Sequence, residues 1–245
     1  LEFRRVLFRS DYFLTNAGNA SMEDWVGYGN DSTWRVEDIY PSYYNSIPGQ
    51  YMSIVVGDTI YFDATTSAEG RELWAHDTSN DSTWQVADIY SGSPNSFPGQ
   101  YMHIVVGDTI YFDAVNGSGR ELWAHDTSND STWQVADIHS GTSGSDPGQW
   151  MSIVVGDTIY FDASTSADGR ELWAHDTSND STWQVADIYS GYGSSSPGFY
   201  DSVVIGDTIY FDATTSADGT ELWAHDTSND STWLVADIRS GSSSS

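Results

Sequence analysis

The sequence Gly-Asp-Thr-Ile-Tyr-Phe-Asp-Ala occurs four times, beginning at Gly57, Gly107, Gly156 and Gly206, so the chain repeats itself every 49 or 50 residues. A second phrase, ELWAHDTSNDSTW, begins at Glu72, Glu121, Glu171 and Glu221. A fixed period of this length is the mark of a repeat architecture, and it constrains the fold more than any local pattern does. A diverged copy opens the chain: Tyr12-Phe13 aligns with Tyr61-Phe62, Trp25 with Trp74, and NDSTW at 30–34 with 80–84.

Each unit holds four candidate strands, in the first full copy Tyr51–Val56, Thr59–Ala64, Glu72–Asp77 and Trp84–Ile89. All are rich in Val, Ile, Tyr, Phe and Trp, which suit a pleated, packed surface. Gly57-Asp58 is a two-residue hairpin signal, because Gly accepts the positive φ that such turns need. Large residues fall on both faces: Leu73 and Ala75 alternate with Trp74 and His76. A sheet with one wet face would alternate more cleanly. One unit of this size buries too little apolar surface to offset its chain entropy, so neighbouring units must cover each other. Four antiparallel strands per unit of about 50 residues is the pattern of a propeller blade. The expected fold is all-β, a β-propeller-like array of four-stranded antiparallel blades, about five with one incomplete. A β-solenoid or a row of small sandwiches is the alternative, disfavoured because solenoid coils are shorter. The expected boundaries are an incomplete blade at 11–40, blades at 50–89, 100–138, 149–188 and 199–238, and a Ser-rich tail at 239–245.

Residues 1–10, LEFRRVLFRS, match nothing later in the chain and hold three of its eight basic residues. They read as the in-frame translation of the end of a common sequencing-library adapter. They are therefore set apart from 11–245, and the natural N-terminus is expected to lie elsewhere.

The formal net charge is −28, and every basic residue is Arg. Such a chain repels phosphate backbones, which argues against nucleic acid as a partner. No apolar run reaches the length of a membrane-spanning helix. With no Cys, disulfides and thiolate metal sites are excluded.

The segment GRELWAHDTSNDSTWQVADIYSGS resembles the unit of the ELWxxDGT repeat proteins. The ELW triplet stands at Glu72-Leu73-Trp74 and its three later copies, and the Asp of DGT corresponds to Asp77, Asp126, Asp176 and Asp226. The sequence departs where DGT has become DTS, removing a turn glycine. The resemblance covers nearly all of 11–245 and implies a large secreted or surface-attached microbial protein, with further repeats of the same kind. It implies no catalytic residues.

Two constellations could carry chemistry. In the loop after the third strand, Asp77, Ser79 and Asp81 place oxygen atoms at alternate positions. The pattern recurs at Asp126, Ser128 and Asp130, at Asp176, Ser178 and Asp180, and at Asp226, Ser228 and Asp230. Oxygen ligands so spaced resemble the opening of a calcium loop, although the following Gly and a bidentate Glu are missing. The alternative is that these side chains make turns by bonding their own backbone. TSNDSTW is also similar to the Asp-box hairpin of sialidase-type propellers, itself a structural element. The second constellation is aromatic. Trp74 and Trp84 recur at fixed strand positions and are expected in the core, whereas Tyr101, Trp150 and Tyr200 follow the variable linkers and are candidate ligand-binding residues. His76, His125, His175 and His225 recur in strands, where packing is the simpler reading than metal binding. Glu72 follows Arg71, and a local ion pair or turn contact is the expected role.

No asymmetric set of acid, base and nucleophile is visible, because each copy offers the same groups. The expected function is thus a non-enzymatic extracellular or cell-surface scaffold, structural or adhesive, with no required cofactor and calcium as a candidate stabiliser. Surface glycans or other proteins are the expected partners. A lectin-like carbohydrate-binding propeller that uses the linker aromatics is the alternative.

Overall fold

A computed structural model describes residues 34–41 and 44–241. The expected adapter segment 1–10, most of the incomplete blade at 11–40 and the end of the Ser-rich tail lie outside the described residues.

Each repeat folds as one four-stranded antiparallel sheet, with strands in sequence order. The first comprises β1 (Ser53–Val56), β2 (Thr59–Thr66), β3 (Gly70–Asp77) and β4 (Ser82–Ala87). The second comprises β5 (His103–Val106), β6 (Thr109–Asn116), β7 (Gly119–Asp126) and β8 (Ser131–Ala136). The third comprises β9 (Ser152–Val155), β10 (Thr158–Thr165), β11 (Gly169–Asp176) and β12 (Ser181–Ala186). The fourth comprises β13 (Ser202–Ile205), β14 (Thr208–Thr215), β15 (Gly219–Asp226) and β16 (Ser231–Ala236). No helix occurs among the described residues. These are blade-like sheets, as the repeat predicts.

The strand limits differ from the sequence reading for identifiable reasons. β1 starts at Ser53 rather than Tyr51, because the Tyr51 and Met52 N–H groups donate to Asp63 Oδ1 instead of to a ladder. β4 runs Ser82–Ala87 rather than to Ile89, because a bulge at Leu73/Trp74 shifts its register and the Ile89 N–H turns to Glu72. Gly57 takes φ 61 in the tight turn between β1 and β2, as expected of Gly at the first central position.

The chain divides into two compact units, one ending at Ser96 and one beginning at Phe97. In the first, Ile60, Phe62 and Ala64 of β2 form a core against Ile39 and Trp74. In the second, sheets pack face upon face. Met102, Tyr111, Leu122 and Ala124 of the second repeat are covered by Ile159, Phe161 and Ala163 of the third. The same scheme joins Met151, Tyr160, Leu172 and Ala174 to Ile209, Phe211 and Ala213 of the fourth. Cross-strand register explains why both faces are apolar. Phe161 pairs with Trp173 on one face, and Tyr160 with Ala174 on the other. Trp133 and Trp173 are partly buried against the first of these cores, and Trp183 and Trp223 against the second, as expected of the strand tryptophans.

Candidate functional site

The linkers between sheets are where the repeats differ, and the fold holds them rigidly. Each contains Ser-x-Pro-Gly: Ser46-Ile47-Pro48-Gly49, Ser96-Phe97-Pro98-Gly99, Ser145-Asp146-Pro147-Gly148 and Ser195-Ser196-Pro197-Gly198. The second residue has a positive φ in every copy, 43° at Ile47, 48° at Phe97, 48° at Asp146 and 49° at Ser196. A residue before proline ordinarily favours extended backbone, so this conformation needs support from outside the segment.

Buried carboxylates supply that support from both sides. In the linker between the second and third repeats, Ser145 N and Oγ donate to Glu121 Oε1 and Oε2 at 3.1 and 2.7 Å. Ile138 N adds a third bond to Glu121 at 2.8 Å. At the far end of the linker, Trp150 N and Met151 N both donate to Asp162 Oδ1 at 2.8 Å. Arg170 Nη1 pairs with Asp162 Oδ2 and donates to the Asp146 carbonyl. Gly148 is required here twice over: its φ is 70°, and a Cβ would come within 2.6 Å of Met102. The linker is thus fastened to the sheet before it and to the sheet after it.

This network assigns roles that the sequence did not reveal. Glu72 does not pair with Arg71, as expected from their adjacency. Neighbours in a strand point to opposite faces, so Arg71 meets Asp63 and Glu72 meets Ser96. Two-residue spacing along each strand was the signal that could have separated them. Burial pushes the Glu72 carboxyl up to about 7, against the lowering effect of its bonds to Ser96, Ile89 and Tyr90. Glu121 and Glu171 shift up for the same reason. Burial likewise raises the Asp113 and Asp162 carboxyls, opposed by the facing Arg120 and Arg170.

The loops after the third strand are turns in which the first aspartate bonds its own loop. Asp77 Oδ1 accepts from Ser79 N at 2.8 Å, and Oδ2 accepts from the Asn80 side chain at 2.7 Å. Asp126, Asp176 and Asp226 bond Ser128, Ser178 and Ser228 in the same way. These bonds, led by those from the serine hydroxyls, hold the four aspartates below the ordinary carboxylate range. Asp81, Asp130, Asp180 and Asp230 take the left-handed conformation, with φ between 58° and 63°. That is the conformation a turn glycine adopts, and Asp tolerates it. The loop also docks on the first hairpin, where Thr78 N and Oγ1 donate to the Asp58 carbonyl at 2.9 and 2.8 Å. Among the described residues, no three His, Asp or Glu side chains converge as a metal site.

The repeated histidines bond within their own sheets, and His175 and His225 also meet the rings of Tyr111 and Tyr160 in the preceding sheets, at 5.2 and 5.3 Å. Nδ1 of His76, His125, His175 and His225 lies 2.9 Å from a threonine hydroxyl on the next strand. Burial depresses the pKa of His125, His175 and His225, with nearby aspartates pulling the other way.

The linker aromatics are differently disposed. Tyr101 lies under the Arg120 guanidinium, 4.8 Å from its carbon to the ring centre. Trp150 and Tyr200 share an exposed cluster with Phe199, which the sequence reading did not single out. Phe199 meets Trp150 edge-on at 4.7 Å and Tyr200 at 4.9 Å. Beside this cluster, an open groove of about 220 Å³ is lined by Tyr200, Asp201, Val203, Tyr210, Asp212 and Leu222, among others.

No family model matches the chain. No curated protein matches it either. Among solved structures, it resembles puromycin hydrolase with a TM-score of 0.50 at 15% identity, over 75% of this chain and 27% of that one. A Mycobacterium tuberculosis puromycin-hydrolyzing peptidase gives a TM-score of 0.50 at 9% identity, over 76% of this chain and 28% of that one. The chain thus spans little more than a quarter of these proteins, and the likeness is one of fold. It corrects the expectation of a non-enzymatic structural or adhesive scaffold, and with it the lectin-like alternative. Both of these solved proteins are hydrolases by name, so repeat architecture gives no ground for setting enzymes aside.

Proposed function

We propose that the chain is the peptide-binding propeller region of a longer protein. The observation that carries this reading is the Trp150–Phe199–Tyr200 cluster, exposed at the ends of linkers that are fastened at both sides. Aromatic side chains on a rigid frame give large contact area at little entropic cost, which is what a peptide-recognition surface needs. The acidic surface selects basic peptides, because opposite charge steers encounter and like charge repels. The likeness to a peptidase over about a quarter of that protein's length supports a division of labour, with reactive groups elsewhere in the longer protein.

The test is calorimetric titration of the chain with short peptides of equal length that are basic, neutral or acidic, each containing one aromatic residue. Basic peptides should bind best, and Phe199→Ala together with Tyr200→Ala should weaken them at least about tenfold. Equal affinity for all three classes, or binding indifferent to both substitutions, would overturn the reading.

A further inference from the structure

In three repeats a guanidinium sits in the same cradle. Arg71 pairs with Asp63 Oδ2, donates to the Ile47 carbonyl at 3.1 Å and lies over the Tyr51 ring at 5.4 Å. Arg120 pairs with Asp113 Oδ2, donates to the Phe97 carbonyl at 3.3 Å and lies over Tyr101. Arg170 pairs with Asp162 Oδ2 and donates to the Asp146 carbonyl at 2.9 Å. The cradle is thus a buried carboxylate oxygen, the carbonyl of the left-handed linker residue and, in two copies, a tyrosine face.

The fourth repeat keeps the cradle and changes the occupant. Asp212, the Ser196 carbonyl and Tyr200 stand where Asp63, the Ile47 carbonyl and Tyr51 stand in the first, and Ser196 retains its φ of 49°. Asp212 Oδ1 still accepts from Tyr200 N at 2.9 Å and Asp201 N at 3.2 Å. The arginine, however, is Thr220, whose hydroxyl lies 2.7 Å from Thr214 Oγ1. Asp212 Oδ2 is buried and has no hydrogen-bond partner among the described residues. An ionised oxygen in that state is costly unless a cation reaches it. Asp201 replaces the buried Met52, Met102 and Met151 of the other copies, adding an exposed carboxylate to the groove.

We propose that this groove binds a guanidinium cation, the side chain of an arginine presented by another polypeptide. The geometry selects guanidinium because three sister sites already hold one on equivalent atoms. The planar fork reaches carboxylate and carbonyl together while stacking on Tyr200, which an ammonium cannot do. Tyr200 is 77% exposed, so its ring is open to the incoming cation. The proposal stands on the repeat comparison; only the choice of a polypeptide as bearer rests on the peptide-binding reading.

The test is titration of the full chain with N-acetyl-arginine amide, and with the citrulline analogue, which keeps the shape and lacks the charge. The arginine probe should saturate, and the citrulline probe should bind at least about tenfold more weakly, as expected for a charge-assisted contact. Asp212→Asn should remove the difference. Because Asp212 also orders the linker, Thr220→Arg is the decisive variant: it restores the residue of the sister repeats, leaves Asp212 in place and should abolish binding of the added probe. Equal binding of both probes, or undiminished arginine binding in Thr220→Arg, would overturn the proposal. Probe binding that depends on Asp212, with no binding of basic peptides, would leave the groove assigned and the peptide reading refuted. Peptide binding indifferent to arginine content and to Thr220→Arg would do the reverse.

Discussion

The third and fourth repeats have the same strands in the same register, down to the bulge at Leu172/Trp173 and Leu222/Trp223. Their environments nevertheless diverge. Leu172 is fully buried under the fourth sheet, whereas Leu222, the identical residue at the identical position, is 37% exposed. Met151 is buried and its counterpart Asp201 is exposed. Arg170 is paired with Asp162, whereas beside its counterpart Thr220 the Asp212 Oδ2 has no hydrogen-bond partner among the described residues. Strand pairing is a property of each repeat, but burial is conferred by the neighbour. The fourth repeat carries polar replacements at the very positions that its siblings bury, as a repeat with a different partner should.

That contrast can be broken experimentally. The largest effect is expected from Arg170→Ala, which strands a buried carboxylate and should cost about 3–5 kcal/mol in chemical denaturation. Next, Leu172→Ala should cost about 2–5 kcal/mol, and Leu222→Ala about 1–2 kcal/mol. Equal losses at the two leucines would mean that the fourth sheet is covered in solution. Thr220→Arg should raise stability by about 1 kcal/mol by giving Asp212 its partner.

A pH series sharpens the role of the linker carboxylates. Burial raises Glu72 from an ordinary 4.5 to about 7, so the folded state holds a proton that the unfolded chain releases in that window. The stability this contributes is complete below the ordinary value and is lost as pH rises through about 7. Melting temperature should therefore fall between pH 5 and 7.5, and Glu72→Gln should flatten the fall. The smallest effect concerns the DTSND loops. Their aspartates already accept bonds from Ser and Asn, so millimolar calcium should move the melting temperature no more than sodium chloride of equal ionic strength. A clear calcium-specific rise would make Asp77, Asp81 and their copies ligands.

Much of the architecture was legible because period and alternation are written directly in the chain. GDTIYFDA places Phe62 and Tyr61 on opposite faces by its two-residue pleat, and Gly57-Asp58 announces its own turn. The candidate site was less legible. Tyr101, Trp150 and Tyr200 stood out as variable-linker aromatics, but nothing local marks Phe199 as their neighbour or Glu121 as the anchor of Ser145, 24 residues away. Such contacts join segments that are distant in sequence.

By itself, then, the sequence determined the repeat, the four strands of each unit and the turns that join them. All of these depend on steric and hydrogen-bonding preferences within a few residues. The tertiary structure alone decided which carboxylate holds which linker, why an arginine is present in three copies, and what its replacement by Thr220 leaves open. Those outcomes depend on which surfaces are removed from water, and that is set by the neighbouring sheet rather than by the residue itself.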